Sequence, residues 1–130
     1  QMIERGEFLE HAGVFGKRYG TPRRWVLDRL AEGRLVILEI DVQGAANVKQ
    51  QMPEALALFV LPPSEDALLA RLHARKREPE EIIQRRFHEA KREIQTALTG
   101  GVYDVFIVNR QLSEAVKLAL GVVKARLGLI

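Results

Sequence analysis

RLVILEIDVQG, at Arg34–Gly44, is the stretch whose reading decides the fold. From Leu35 to Ile40 it is apolar except for Glu39. A run this short and this apolar predicts a fully buried strand rather than one face of a helix. Side chains alternate along a strand, so Glu39 and Asp41 fall on the same side. Gln43 and Gly44 end the strand and open a helix. In open α/β sheets ligands bind beyond the carboxyl ends of strands, where Asp41 stands. The alternative is that both acids simply face solvent.

Upstream, Gln1–Gly6 reads as the tail of a helix stopped by Gly6. EFLEHAGVF at Glu7–Phe15 reads as a strand, and GKRYG at Gly16–Gly20 as a turn. Thr21-Pro22 is a helix opening, with Thr as N-cap and Pro at the first helical position. Trp25, Val26, Leu27 and Leu30 supply the buried stripe of that helix, which Gly33 ends. Downstream, a helix from about Gly44 to Met52 closes at Pro53, and Ala55–Leu61 forms a second buried strand stopped by Pro62-Pro63. Ser64 caps the next helix, in which Leu68, Leu69 and Leu72 point inward. After a break at Lys76–Glu78, Pro79 starts a long helix whose apolar positions Ile83, Phe87, Ala90, Ile94 and Ala97 keep helical spacing. Thr99-Gly100-Gly101 ends it, Val102–Val108 is a third buried strand, and Leu112–Leu127 is a last, well-covered helix. Strands alternating with helices predict an α/β fold: a parallel sheet with helices on both faces.

Composition sets the outer limits. The chain is 47% hydrophobic and 28% charged, as a globular domain should be. No apolar run approaches the ~20 residues of a membrane span, so no membrane role is expected. The absence of cysteine excludes disulfides and thiolate metal sites and suits a reducing cytoplasm. A first residue of Gln1 rather than methionine fits a fragment or a processed chain. The net charge of +3 does not by itself imply nucleic acid, but RLHARKR at Arg71–Arg77 concentrates positive charge.

Arg71, Arg75 and Arg86 lie on two consecutive helices around that charged break. Guanidinium groups match phosphate oxygens in a planar, bidentate way, so the trio reads as a phosphate clamp. A solvated basic face is the alternative. His11, His73 and His88 have no metal-ligand spacing, and Trp25 reads as core. Tyr19, in a glycine-flanked turn, either reaches a ligand or covers the strand end. No G-x-x-x-x-G-K-[ST] phosphate loop occurs in the chain, so it cannot assemble a complete phosphoryl-transfer site alone.

In register, these stretches resemble guanylate kinase. FLEHAGVFGKRYGTP at Phe8–Pro22 looks like the family's guanine-binding segment, and VILEIDVQGA at Val36–Ala45 like its strand-end motif. FVLPPSEDALLARLHAR, RRF and FIVN complete the order. The resemblance implies a P-loop kinase core in which the N-terminal strand and phosphate loop are absent from this chain. It implies one partial domain: 1–33 as the rest of the GMP-binding region, 34–63 and 101–130 as core, and 64–100 as lid and flanking helices. Glu10 would accept from guanine N1 and N2, Thr21 would bond O6, Tyr19 the GMP phosphate, and Asp41 would help hold GMP. Arg71, Arg75 and Arg86 would surround the transferred phosphoryl group, Arg71 and Arg75 contacting ATP as well. Asn109 would lie by the adenine. The cofactor would be Mg²⁺ carried with ATP, with no direct protein ligand here and Glu39 reaching it through water. Glu39 stands where the family usually carries aspartate, and its extra methylene alters any water-mediated contact to Mg²⁺; Lys76 stands where the family often has glycine and the segment carries Pro79, which implies a stiffer lid.

The expected function is phosphoryl transfer from ATP to GMP in the cytoplasm, with GMP and ATP as partners, no nucleic acid, and an oligomeric state that the sequence leaves open. A guanylate-kinase-like protein-interaction module is the rival reading. A small basic nucleic-acid binder is a third, disfavoured because no aromatic residues interleave the charge.

Overall fold

A computed structural model describes the backbone of residues 8–14, 17–75 and 78–128, and the side chains of 22–75 and 78–128. The expected helix tail at Gln1–Gly6 lies outside the described residues. The elements are β1 (Phe8–Val14), β2 (Lys17–Pro22), α1 (Arg23–Ala31), α2 (Val42–Gln51), β3 (Leu58–Leu61), α3 (Glu65–Arg75), α4 (Glu80–Thr99), β4 (Val105–Val108) and α5 (Leu112–Arg126). They fall into two compact units, one reaching to Ala55 and one beginning at Leu56.

In the first unit β1 and β2 form an antiparallel hairpin. The expected turn over Gly16–Gly20 is therefore largely strand. KRYGT has no alternating pattern, and its extended form is set by the ladder with β1 rather than by local preference. The helix opening also moves by one residue. Pro22, not Thr21, occupies the N-cap of α1, extended at φ −63° and ψ 125°, and no side chain caps the first turn. Gly33 ends the helix as expected, with φ at +79°, a conformation that costs glycine nothing.

The stretch from Leu35 to Ile40 departs most from expectation. It has no ladder partner among the described residues. Val36, Leu38 and Ile40 pack against Val26 of α1 and Val48 of α2, forming the small core of this unit. The alternate residues face out, with Leu35 57% and Ile37 77% exposed. An apolar run is buried on both sides only where both sides have cover, and here α1 and α2 cover one. The same shortage corrects the reading of α1: Val26 is buried, but Trp25, Leu27 and Leu30 are exposed, and Arg29 sits 5.6 Å over the Trp25 ring.

In the second unit β3 and β4 pair in parallel, Leu58 opposite Val105 through Leu61 opposite Val108. Both strands are shorter than their apolar runs, with four residues each. Asp104 anchors the start of the pair. Its Oδ2 accepts the Ala57 N–H at 2.8 Å, while its own N–H donates to the Ala57 carbonyl at 2.8 Å. Tyr103 stacks edge-on against Phe59, with centroids 5.0 Å apart. Ser64 caps α3 as expected, its Oγ accepting the Ala67 N–H at 3.0 Å. α4 turns its predicted stripe inward: Ile83 and Ala97 are buried, and Phe87, Ala90 and Ile94 are partly buried. Gly101 ends that segment at φ +73°. α5 is not well covered. Ala115 is its buried residue, while Leu112, Val116, Leu118 and Leu120 are exposed, because α5 rests on β4 by one face.

Candidate active site

Residues expected at the site occur in both units, each a compact body of its own. In the first, the hairpin register makes Glu10 and Thr21 direct partners and sets Tyr19 opposite Ala12. Two residues eleven apart in sequence are thus held at ladder distance, about 5 Å between Cα atoms. Glu39 and Asp41 are both exposed on the outward side of the extended segment, as alternation requires.

Asp41 also has a structural task that the sequence reading missed. It is the N-cap of α2, and its Oδ1 accepts the Gly44 N–H at 2.7 Å. This explains why α2 starts at Val42 rather than at Gly44. The signal was present, since aspartate directly before a helical stretch is a favoured cap. The cap holds the carboxylate at the positive end of α2 and fixes its direction.

In the second unit Arg71 and Asn109 meet. Arg71 Nη2 donates to the Asn109 carbonyl oxygen at 2.7 Å, joining residues 38 apart in sequence. Asn109 is fixed from the other side by its own N–H, which donates to the Leu61 carbonyl at 2.8 Å. Its side-chain Oδ1 is buried with no hydrogen-bond partner among the described residues. A buried acceptor left unpaired is costly and invites a donor.

The other arginines are placed differently. Arg75 lies one turn beyond Arg71, exposed at the last position of α3, and makes no hydrogen bond or ion pair among the described residues. Arg86 Nε pairs with Glu78 Oε2 at 3.3 Å, both side chains about a quarter exposed. A phosphate that recruits Arg86 must compete with Glu78. His73 bridges α3 to α4: its Nε2 lies 2.8 Å from Glu80 Oε2 and its Nδ1 3.0 Å from the Leu69 carbonyl. Glu80 also accepts from Gln84 at 2.9 Å. The Gln84 bond first, then the His73 bond, hold the Glu80 carboxyl below the usual carboxylate range. Neither the Glu78 nor the Glu80 pairing was visible in the sequence, because the first joins the α3–α4 break to α4 and the second spans that break, and neither follows a helical turn.

No cluster of three acidic or histidine side chains suited to a metal ion occurs among the described residues. Magnesium that arrives on nucleotide phosphates keeps several waters and needs only one or two carboxylates. Exposed Glu39, beside capped Asp41, fits such a water-mediated contact.

A parallel strand pair in which each strand leads into a helix defines an α/β fold. The guanylate kinase family model matches residues 1–125. Guanylate kinases of Alcanivorax borkumensis and Photobacterium profundum are 41% and 47% identical, over 97% and 88% of this chain. The matched regions are 59% and 54% of those proteins, so the chain spans little more than half the length of these relatives. The crystal structure of guanylate kinase from Anaplasma phagocytophilum superposes with a TM-score of 0.75 at 31% identity, covering 95% of this chain and 58% of that one. The chain belongs to the guanylate kinase family.

Proposed function

We propose that this chain supplies the GMP-binding and phosphoryl-clamping residues of a cytoplasmic guanylate kinase. A GMP phosphate oxygen attacks the γ-phosphorus of ATP, the bond to the bridging β–γ oxygen breaks, and ADP and GDP leave. The observation that carries the reading is the Arg71–Asn109 hydrogen bond at 2.7 Å, which joins a phosphate-seeking cation to a residue with an orphaned buried acceptor. Adenine offers what Asn109 Oδ1 lacks, a pair of N–H donors on its exocyclic amine. Arg71 is then within side-chain reach of the phosphates of the same nucleotide.

Glu10 accepts from guanine N1 and N2, Thr21 bonds O6, Tyr19 bonds the GMP phosphate, and Asp41 holds GMP with the oxygen that does not cap α2. Arg71, Arg75 and Arg86 act on charge that spreads over the phosphoryl oxygens as the bond breaks, the main catalytic lever in this reaction. Arg75 is ready for that role; Arg86 takes it up by exchanging Glu78 for phosphate. Glu39 would hold Mg²⁺ brought with ATP through a water, and the ion would supply charge neutralisation at the phosphates.

Guanine recognition provides the test. Replacing Glu10 by Gln puts an amide where two N–H donors need a carboxylate. In the full protein this should weaken GMP binding by ~1.5–3 kcal/mol without improving AMP. Calorimetric titration with both nucleotides decides it, and unchanged GMP affinity removes Glu10 from the site.

A further inference from the structure

His73 stands midway between Arg71 and Arg75 near the end of α3, and Glu80 opens α4, the helix that carries Arg86. The imidazole is bonded through both of its nitrogens. Nδ1 lies 3.0 Å from the Leu69 carbonyl oxygen, one turn back on α3. A carbonyl only accepts, so Nδ1 carries a hydrogen. Nε2 lies 2.8 Å and 3.1 Å from Glu80 Oε2 and Oε1, and Gln84 Nε2 donates to Oε1 at 2.9 Å. These bonds, Gln84 first and then His73, keep the Glu80 carboxyl below the usual carboxylate range, so it stays ionised and only accepts. Both ring nitrogens therefore face acceptors, and both must donate. A neutral imidazole has one N–H and cannot satisfy the two sites; the imidazolium can.

We propose that His73 and Glu80 form a proton-dependent clasp that fixes α3 against α4, closed by the imidazolium and released when the ring loses its proton. A neutral ring that keeps its Nδ1–H turns a lone pair on the Glu80 carboxylate; the other tautomer turns one on the Leu69 carbonyl. One of the two bonds is lost either way. Glu80 is the charged group that α4, the helix packed against α3, presents to the ring. On α3 itself Arg71 is engaged by the Asn109 carbonyl, and Arg75 is exposed at the helix end. The His73 side chain is 41% exposed, so its proton exchanges directly with solvent. Histidine changes charge near neutral pH, which sets the alkaline limit of the clasp. Its acid limit is protonation of Glu80. In the proposed reaction His73 is a positioning residue, acting through the arginines by holding the helix of Arg71 and Arg75 on that of Arg86. This second role rests on the catalytic reading; the clasp does not.

Amide exchange of the full protein, followed by NMR and corrected for the intrinsic rate, is measured at about pH 5.5 and about pH 8.5, on either side of the range in which histidine changes charge. Protection of Leu72–Arg75, the last turn of α3, should fall roughly two- to fivefold at the higher pH, the scale of an exposed ion pair. His73→Gln donates to Glu80 without titrating and should abolish that fall. Glu80→Gln should abolish it too, because its amide can donate to the neutral ring. His88→Gln, on the exposed side of α4, should keep it. Protection that ignores pH in wild type overturns the clasp, and so does a fall that persists in His73→Gln and Glu80→Gln. For the positioning role, the ratio of wild-type to His73→Gln kcat should fall by the same factor between the two pH values, while the ratio of KM for GMP holds. A flat kcat ratio beside an intact exchange response overturns that role. A full protein without turnover would refute the catalytic reading, and amide exchange would still decide the clasp.

Discussion

Asp41 serves α2 with one carboxylate oxygen and, in the proposed reaction, GMP with the other, and two substitutions separate these roles. Asp41→Ala removes the acceptor of the 2.7 Å bond from the Gly44 N–H. Losing an aspartate cap costs about 1 kcal/mol. Asp41 is exposed and its cap serves a ten-residue helix, so no cavity or buried-charge penalty is added. For a domain of this size the cost corresponds to a fall in melting temperature of about 4 °C. Asp41→Asn keeps a capping oxygen and should melt within about 1 °C of wild type, since asparagine caps as well as aspartate. Both substitutions remove the negative charge from the GMP side. Each should weaken GMP about tenfold, the lower end of a charge-assisted hydrogen bond at an exposed site. Scanning calorimetry and GMP titration on the full protein read the two effects independently. Full retention of GMP affinity in Asp41→Asn would leave Asp41 as a cap alone. Equal melting of Asp41→Ala and wild type would refute the capping argument.

Two further outcomes follow from the structure. The 130-residue chain by itself should show no ADP release with ATP and GMP, since it contains no phosphate-loop motif. It should also self-associate, given exposed Leu35, Ile37, Leu112 and Leu118; a monodisperse, cooperatively melting monomer in sizing chromatography would contradict the second half. Glu80 has its carboxyl lowered in the folded state by Gln84 and His73, so its contribution to stability is present above the ordinary carboxylate range and lost as pH falls through the lowered value. Glu80→Gln should therefore flatten the acid limb of the melting-temperature profile. Superimposable acid limbs in the two proteins would remove Glu80 from that account.

The helices were the most legible part of the sequence. The stripe Ile83, Phe87, Ala90, Ile94 and Ala97 falls on the inward face of α4, and Ser64, Gly33 and Gly101 bound their segments as turn chemistry dictates. These features are local, set by residues a few positions apart. What was not legible depends on distant neighbours. Lys17–Pro22 is a strand because β1 lies alongside it, and nothing within GKRYG records that. Leu35–Ile40 has the composition of a buried strand, but composition cannot say whether both faces will be covered; here only Val36, Leu38 and Ile40 find cover. The arginines were visible as a cationic cluster, while their different partners were not. Arg71 bonds a carbonyl from the end of β4, and Arg86, on α4, pairs with Glu78 in the α3–α4 break.

In the proposed reaction the chain's arginines act on a phosphoryl group passing from ATP to GMP. The most direct measurement is GMP-dependent ADP release by the full protein, wild type beside Arg71→Met. Turnover is expected with GMP and not with AMP, with a fall in kcat of roughly 10² in the variant and a smaller change in GMP affinity. Wild-type protein that binds GMP but releases no ADP would contradict it and leave an interaction module. Turnover in Arg71→Met within a factor of about two of wild type would reduce the arginines to a solvated face.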